Sequence, residues 1–376
     1  MDFATTAMVD QRPIRQYADH DQASLQVREL WKVFGPNPEQ IVRTPELHDL
    51  DKAQLREQTG CTAAINGVSF DVDPGEVFVI MGLSGSGKST LIRCLTRLIE
   101  PTAGRLAYKG RDILRMDKNE LRNLRRNDFA MVFQHFGLLP HKTVAENVAY
   151  GLKIRGQSSA SRISRAREMI DLVGLSGYEN AYPAELSGGM QQRVGLGRAL
   201  AGDPDVLLFD EPFSALDPLI RRDMQVEVAR LQREVGKTII FITHDLNEAL
   251  RLGDRIAVMH EGRLVQIGTG ADLVGAPASE YVRDFVRDVP RERVLSVEWI
   301  MRPYHGEDTP HTIDANTLIC DAIQPLLASP NNKVGVVAGD RVIGVLDTED
   351  VLSSMQSNSP LQLTAPRRAI MTESQV

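Results

Sequence analysis

Three cysteines in 376 residues, an aromatic content of 5% and no long apolar run are what this sequence lacks first. Cys61, Cys94 and Cys320 are odd in number and far apart, in neither a C-x-x-C nor a zinc spacing. That excludes a disulfide framework, and the three read as reduced structural thiols of a cytosolic chain. No stretch reaches the ~20 apolar residues of a transmembrane helix, and "MDFATTAMVDQRPIRQYADHDQ" holds no signal-peptide core. If the protein works at a membrane, another subunit spans it. Positive charge is not in excess either: the formal net charge of -7 excludes binding to nucleic acid through a global basic field, and no nucleic-acid partner is expected. What remains is ordinary for a globular chain, with 42% hydrophobic and 25% charged residues and room for two or three domains.

Residues 1–24 read as a mobile tail, and "SLQVRELWKVFG" then alternates like a strand. A polar insertion, "PNPEQIVRTPELHDLDKAQLREQT", separates Gly35 from Gly60, and its second half suits a short helix. "AINGVSFDVDPGEVFVIM" predicts a strand, a Pro-Gly turn and a second strand. Beyond it, "FAMVFQ", "DVLLFDEP", "TIIFITHD" and "RIAVMHEGRLVQIG" are apolar on successive residues. Such runs suit strands covered on both faces, which makes the fold class α/β and doubly wound. Residues 135–200 lack such runs and predict a helical subdomain. The pattern breaks at Pro290, giving a domain over 25–284, a linker over 285–294, a small α+β unit over 295–355 and a flexible tail over 356–376.

The chemistry concentrates where the buried strand "EVFVI" runs into "MGLSGSGKST" and then into a helix. Gly82-x-x-x-x-Gly87-Lys88-Ser89 is a P-loop in its required strand-to-helix context. Backbone N–H groups from Gly82, Ser84, Gly85, Ser86, Gly87 and Thr90 would converge on phosphate oxygens, with Gly85 and Gly87 leaving room for the approach. Lys88 supplies a point charge for the β- and γ-phosphates, and the Ser89 hydroxyl is placed to ligate Mg²⁺. "VLLFDEP" ends a buried strand in Asp210, whose carboxylate would reach the Mg²⁺ shell, and Glu211, which would polarise an attacking water.

With "LSGGMQQR" at Leu186 to Arg193, the chain resembles the ATP-binding subunit of an ABC transporter. The resemblance covers roughly residues 25 to 270 and implies a P-loop NTPase fold with ATP and Mg²⁺ as cofactors. Ser187, Gly188 and Gly189 would sit at a helix start and meet the γ-phosphate held by a second subunit, so a head-to-tail homodimer is implied. The family's glutamine after Ser-Gly-Gly is Met190 here, which offers no polar contact. By resemblance Gln134 is a Mg²⁺ or water contact, and Asp217 in "SALD" belongs to the loop crossing the dimer interface. His244 orients the water beside Glu211, and Phe34 in "KVFG" stacks on adenine.

"IMGLSGSGKSTLIRCLTRLIEPTAG", "FSALDPLIR" and the polar insertion resemble the ATPase subunits of quaternary-amine importers, which take up glycine betaine, choline or proline betaine. Implied partners are an integral-membrane permease and a periplasmic or lipid-anchored binding protein, with this subunit peripheral on the cytoplasmic face of the inner membrane. A shared core feeding an amino-acid or sugar importer, or a regulatory ATPase without transport, are the alternatives. Residues 295–355 resemble one CBS motif, closing on "GVLDTEDVL". Asp347 stands where nucleotide-binding CBS motifs place Ser or Thr, with Asp350 retained, so weak or no nucleotide binding is expected there.

Overall fold

Five successive apolar residues, Val77–Met81, form a strand whose every residue is buried. The computed structural model that places it describes residues 24–133, 137–214 and 216–356. The expected tails before residue 24 and after 356, and Gln134, lie outside the described residues. Two compact units divide the chain, residues 1–265 and 266–376.

The first unit is built on a six-stranded sheet. Its order is Arg263–Gly268, Arg255–His260, Val77–Met81, Thr238–Thr243, Val206–Asp210 and Phe129–Val132. Val77–Met81 pairs in parallel with both neighbours, and the parallel ladder continues through Val206–Asp210 to Phe129–Val132. Val206–Asp210 and Thr238–Thr243 are also buried throughout, as strands covered on both faces must be. Each large aliphatic or aromatic side chain so buried stabilises the fold by about 1.5–3 kcal/mol. Phe209, Phe213 and Phe241 lie together in this core, their ring centroids 5.5 to 5.6 Å apart.

A second sheet, ordered Thr62–Val72, Leu25–Phe34, Ala103–Tyr108 and Arg111–Asp112, is antiparallel. The insertion between Gly35 and Gly60 is anchored beside it. It forms helices Pro38–Arg43 and Lys52–Thr59, whose Ile41 and Leu55 are buried with Trp31, Val33, Cys61 and Ala63. The second helix is defined at both ends: Asp51 and Gln54 make a capping box, and Gly60 at φ 70° takes the left-handed position that stops it. Residues 137–201 contain helices only, among them Ser159–Leu172 and Gly188–Ala201.

In the second unit, the sheet order is Arg302–Pro303, Arg341–Asp347, Lys333–Ala338 and Thr312–Asp314, with helices Ile319–Ala328 and Thr348–Gln356. Residues 285–294 contain a short 3₁₀ turn at Arg291–Arg293. Helix Gly270–Gly275 ends under the Trp299 ring, so close that a Cβ on Gly275 would stand 2.4 Å from it.

Candidate functional site

Strand Val77–Met81 delivers the chain into the loop 82–87, and helix Lys88–Leu95 leaves it. Two glycines of the loop are fixed by different constraints. Gly85 has φ +80°, and a Cβ there would meet nothing within 4 Å, so the loop's apex is open to a ligand. Gly87 has φ +106°, and its Cβ would stand 2.1 Å from the backbone oxygen of Ala64. Clearing a path for phosphate is not the only demand on Gly87. Close packing against strand Thr62–Val72 demands glycine there on its own.

Leu83, Ser84 and Gly85 are exposed, while Ser86 and Lys88 are buried and Ser89 and Thr90 half-buried. The Lys88 ammonium donates to Gly82 O at 2.8 Å and Leu83 O at 3.0 Å, and lies 3.7 Å from Glu211 Oε1. Burial pushes its pKa down, opposed by Glu211 and Asp210. The Ser89 hydroxyl donates to Asp210 Oδ1 at 2.9 Å, which joins two residues 121 positions apart. Burial raises the Asp210 pKa, opposed first by the Ser89 hydrogen bond and then by Arg93, 3.7 Å away. His244 Nδ1 stands 3.0 Å from Glu211 Oε2. Lys88, Ser89, Asp210, Glu211 and His244 therefore meet at the carboxyl ends of three adjacent parallel strands, the usual binding edge of an open α/β sheet.

Glu211 is held in the left-handed region at φ +46°, a conformation costing a non-glycine residue about 1–3 kcal/mol. Its N–H donates to Ile242 O at 3.1 Å, and its carbonyl accepts from Ser214 Oγ at 3.0 Å. These bonds hold the backbone so that the carboxylate faces both Lys88 and His244. The strain sits on the residue that the sequence singled out as the base.

Other expected site residues lie elsewhere within the chain. Ser187 is the N-cap of helix Gly188–Ala201 and accepts from Met190 N–H at 3.3 Å. Among the described residues, no hydrogen bond joins residues 187–189 to the P-loop. Gly189 is packed against Ile220, with a Cβ only 2.5 Å from that side chain. Asp217 precedes helix Pro218–Val235 without a side-chain cap bond. Phe34 ends its strand 45% exposed, with the Lys32 ammonium 4.8 Å from the ring centroid.

Three contributors belong to no sequence motif. Arg93, one turn into the P-loop helix, reaches Asp210. Glu248, buried and pushed up in pKa by that burial, accepts from Thr243 Oγ1 at 2.6 Å and from Gln225 at 3.3 Å. It thereby anchors the strand end that carries His244. The third is Lys52 of the insertion, whose ammonium donates to Gly85 O at 2.6 Å. Only the charged helix start "DKAQ" hinted at it, and no spacing rule connects that helix to the loop.

The residues fit a triphosphate and its metal. Ser86 Oγ is buried without a hydrogen-bond partner among the described residues, a polar atom left over inside the loop. A hydroxyl and a carboxylate, Ser89 and Asp210, are the hard oxygen donors that Mg²⁺ takes alongside substrate phosphates.

Fold and site together define the class: a P-loop nucleotide-binding α/β protein. The family described as ABC transporter matches residues 65–214. The glycine betaine transport ATP-binding protein OpuAA of Bacillus subtilis (strain 168) is 51% identical, over 97% of this chain and 85% of its own length. The trimethylamine N-oxide transport system ATP-binding protein TmoW of Pelagibacter ubique (strain HTCC1062) is 44% identical, over 87% and 96%. Among solved structures, the ATP-binding cassette MJ0796, a dimer in a post-hydrolysis state bound to ADP and Pi, superposes with a TM-score of 0.55. It is 30% identical, covering 65% of this chain and 98% of that one. This chain belongs to the ABC transporter family, as one of its ATP-binding proteins.

Proposed function

We propose that this protein hydrolyses ATP to power import of a quaternary or fully methylated amine through a separate membrane permease, supplied by a periplasmic or lipid-anchored binding protein. The observation that carries the hydrolytic part is the placement of Glu211, 3.7 Å from Lys88 and 3.0 Å from His244. In this reading Glu211 takes the proton of the attacking water, and His244 fixes the carboxylate's orientation through its Nδ1. Lys88 and the loop N–H groups bind the β- and γ-phosphates, and Phe34 stacks on the adenine with its ring face away from Lys32. Ser89 and Asp210 would hold Mg²⁺. That ion, when bound, neutralises charge on the phosphate oxygens.

The amine class is supported by the names of the two relatives, one for glycine betaine and one for trimethylamine N-oxide, and by their alignment along nearly the whole chain. Choline and proline betaine belong to the same chemical class. No described helix is long and apolar enough to cross a membrane, so the reading gives the crossing to the permease and places this subunit on the membrane's cytoplasmic face. Residues 295–355 read as a single CBS-like motif. Its Asp347 and Asp350 are both paired with Arg302, an arrangement that leaves little to attract a phosphate.

In this reading the catalytic site is completed by Ser187, Gly188 and Gly189 of a second copy, which the dimeric state of the ADP-bound cassette MJ0796 supports. ATP then binds the closed pair better than the open one, and that differential affinity does the mechanical work. The test is complementation. Lys88→Ala and Ser187→Arg chains are each inactive alone, while their mixture recovers about a quarter of wild-type hydrolysis, since half the pairs are mixed and each holds one intact site of two. A mixture as inactive as its components contradicts the shared site.

A further inference from the structure

The insertion 35–60 leaves the antiparallel second sheet just after Phe34 and returns to it at strand Thr62–Val72, so a mere surface elaboration would have no reason to touch the P-loop. It does touch it. Lys52, the first residue of helix Lys52–Thr59, donates its ammonium to Gly85 O at 2.6 Å across 33 positions of sequence. We propose that the insertion is a working part of the nucleotide site, and that Lys52 is a second cation of the phosphate cradle which also positions the loop's apex. The proposal rests on the reading of the P-loop as the ATP site.

The helix that carries Lys52 is held firmly enough for this role. Its Leu55 is buried in the small core with Trp31, Val33 and Ile41, and Asp51 caps its first turn. The segment before it is pinned as well: the His48 ring lies 4.4 Å from the Trp31 ring, His48 O accepts from Asn66 Nδ2 at 3.2 Å, and Arg263 donates to the same oxygen. Lys52 therefore reaches the loop from a fixed base.

Two consecutive carbonyls of the loop are gripped from outside. Gly85 O accepts from Lys52, and Ser86 O accepts from Gly262 N–H at 2.9 Å. In a trans peptide the C=O and N–H point in opposite directions. Holding Gly85 O toward Lys52 turns the Ser86 N–H inward, where it donates to Leu83 O at 3.2 Å, the carbonyl that also accepts from Lys88. Lys52 thus fixes the Gly85–Ser86 peptide at the loop's apex and places a positive charge beside it, where burial already pushes its pKa down and Glu261 opposes that shift. An ammonium has three donors, so one bond to Gly85 O does not exhaust it. Such a charge favours polyphosphate and is indifferent to the base.

The experiment measures binding of ATP, ADP and adenosine to the full chain by calorimetry at low and high KCl. Wild type is compared with Lys52→Met, Lys52→Arg, Lys88→Ala and, as a control on the same helix, the exposed Arg56→Gln. Lys52→Met is expected to weaken ATP about tenfold, the usual order for a charge-assisted bond, with ADP weakened less and adenosine unchanged. Its ATP affinity should also fall less steeply with KCl than that of wild type. Lys52→Arg should restore most of the affinity, and Arg56→Gln should bind as wild type. ATP affinity and salt dependence unchanged in Lys52→Met overturn the proposal, as does equal weakening of adenosine and ATP, the mark of a merely structural loss. Should wild type bind no ATP, or Lys88→Ala bind it normally, the reading of the P-loop fails instead.

Discussion

Replacing Glu211 by glutamine separates chemistry from binding, because the change is nearly isosteric and the left-handed backbone at φ +46° is as acceptable to glutamine as to glutamate. The Ser214 and Ile242 bonds involve only the backbone of residue 211 and persist. What is lost is a carboxylate 3.7 Å from Lys88, a gross attraction of roughly 4–5 kcal/mol at an effective dielectric of about 20. Lys88 stays buried without it, so fold stability should fall by up to about 3–5 kcal/mol. Freed of its acidic neighbour, Lys88 is at least as available to phosphate, so ATP affinity should hold or improve. The proton acceptor is gone, and kcat should fall about 10²–10⁴-fold, or roughly 3–5 kcal/mol of barrier. The assay pairs steady-state phosphate release with an ATP titration. Wild-type turnover in Glu211→Gln would refute the reasoning, and so would a loss of turnover matched by an equal loss of ATP affinity.

Glu76, buried beside Arg255 at 3.3 Å, has its pKa raised to about 7, chiefly by burial. An acid whose folded pKa exceeds its unfolded one holds its proton in the fold, so its contribution to stability falls as pH rises from about 4.5 to about 7. Denaturation of Glu76→Gln should thus show stability relative to wild type growing by about 1–3 kcal/mol between pH 5 and pH 8, and a flat difference contradicts this. Gly87→Ala should unfold at markedly lower temperature than Gly85→Ala, since only the former drives a methyl into a backbone oxygen 2.1 Å away. Equal melting temperatures would mean that strand Thr62–Val72 yields easily.

Much of the fold was legible because burial writes itself into composition. "VFVIM", "VLLF" and "IIFI" are apolar at every position, and each lies in a buried parallel strand. The insertion's second half was legible through Asp51, Gln54 and Gly60, local signals that act within a few residues. The meeting of Ser89 with Asp210 was foreseeable only because both belong to motifs whose association is known in other proteins. Lys52 and Arg93 belong to no such pattern: their partners are set by how helices land on the sheet, which no periodicity encodes. The strain at Glu211 was equally hidden, since nothing in "FDEPF" announces a left-handed glutamate. Gly87 was assigned to phosphate access, but contact with Ala64, 23 positions earlier, demands glycine there as well, a constraint visible only once the strands are side by side.

The most direct test of the whole account is uptake of labelled glycine betaine, choline, proline betaine and trimethylamine N-oxide, with an unrelated amino acid as control, by cells lacking this subunit and restored with wild type or Glu211→Gln. The account predicts that at least one methylated amine enters with wild type alone, while the amino acid enters regardless. Uptake of every methylated amine that is indifferent to the subunit, or equal with Glu211→Gln, would contradict it.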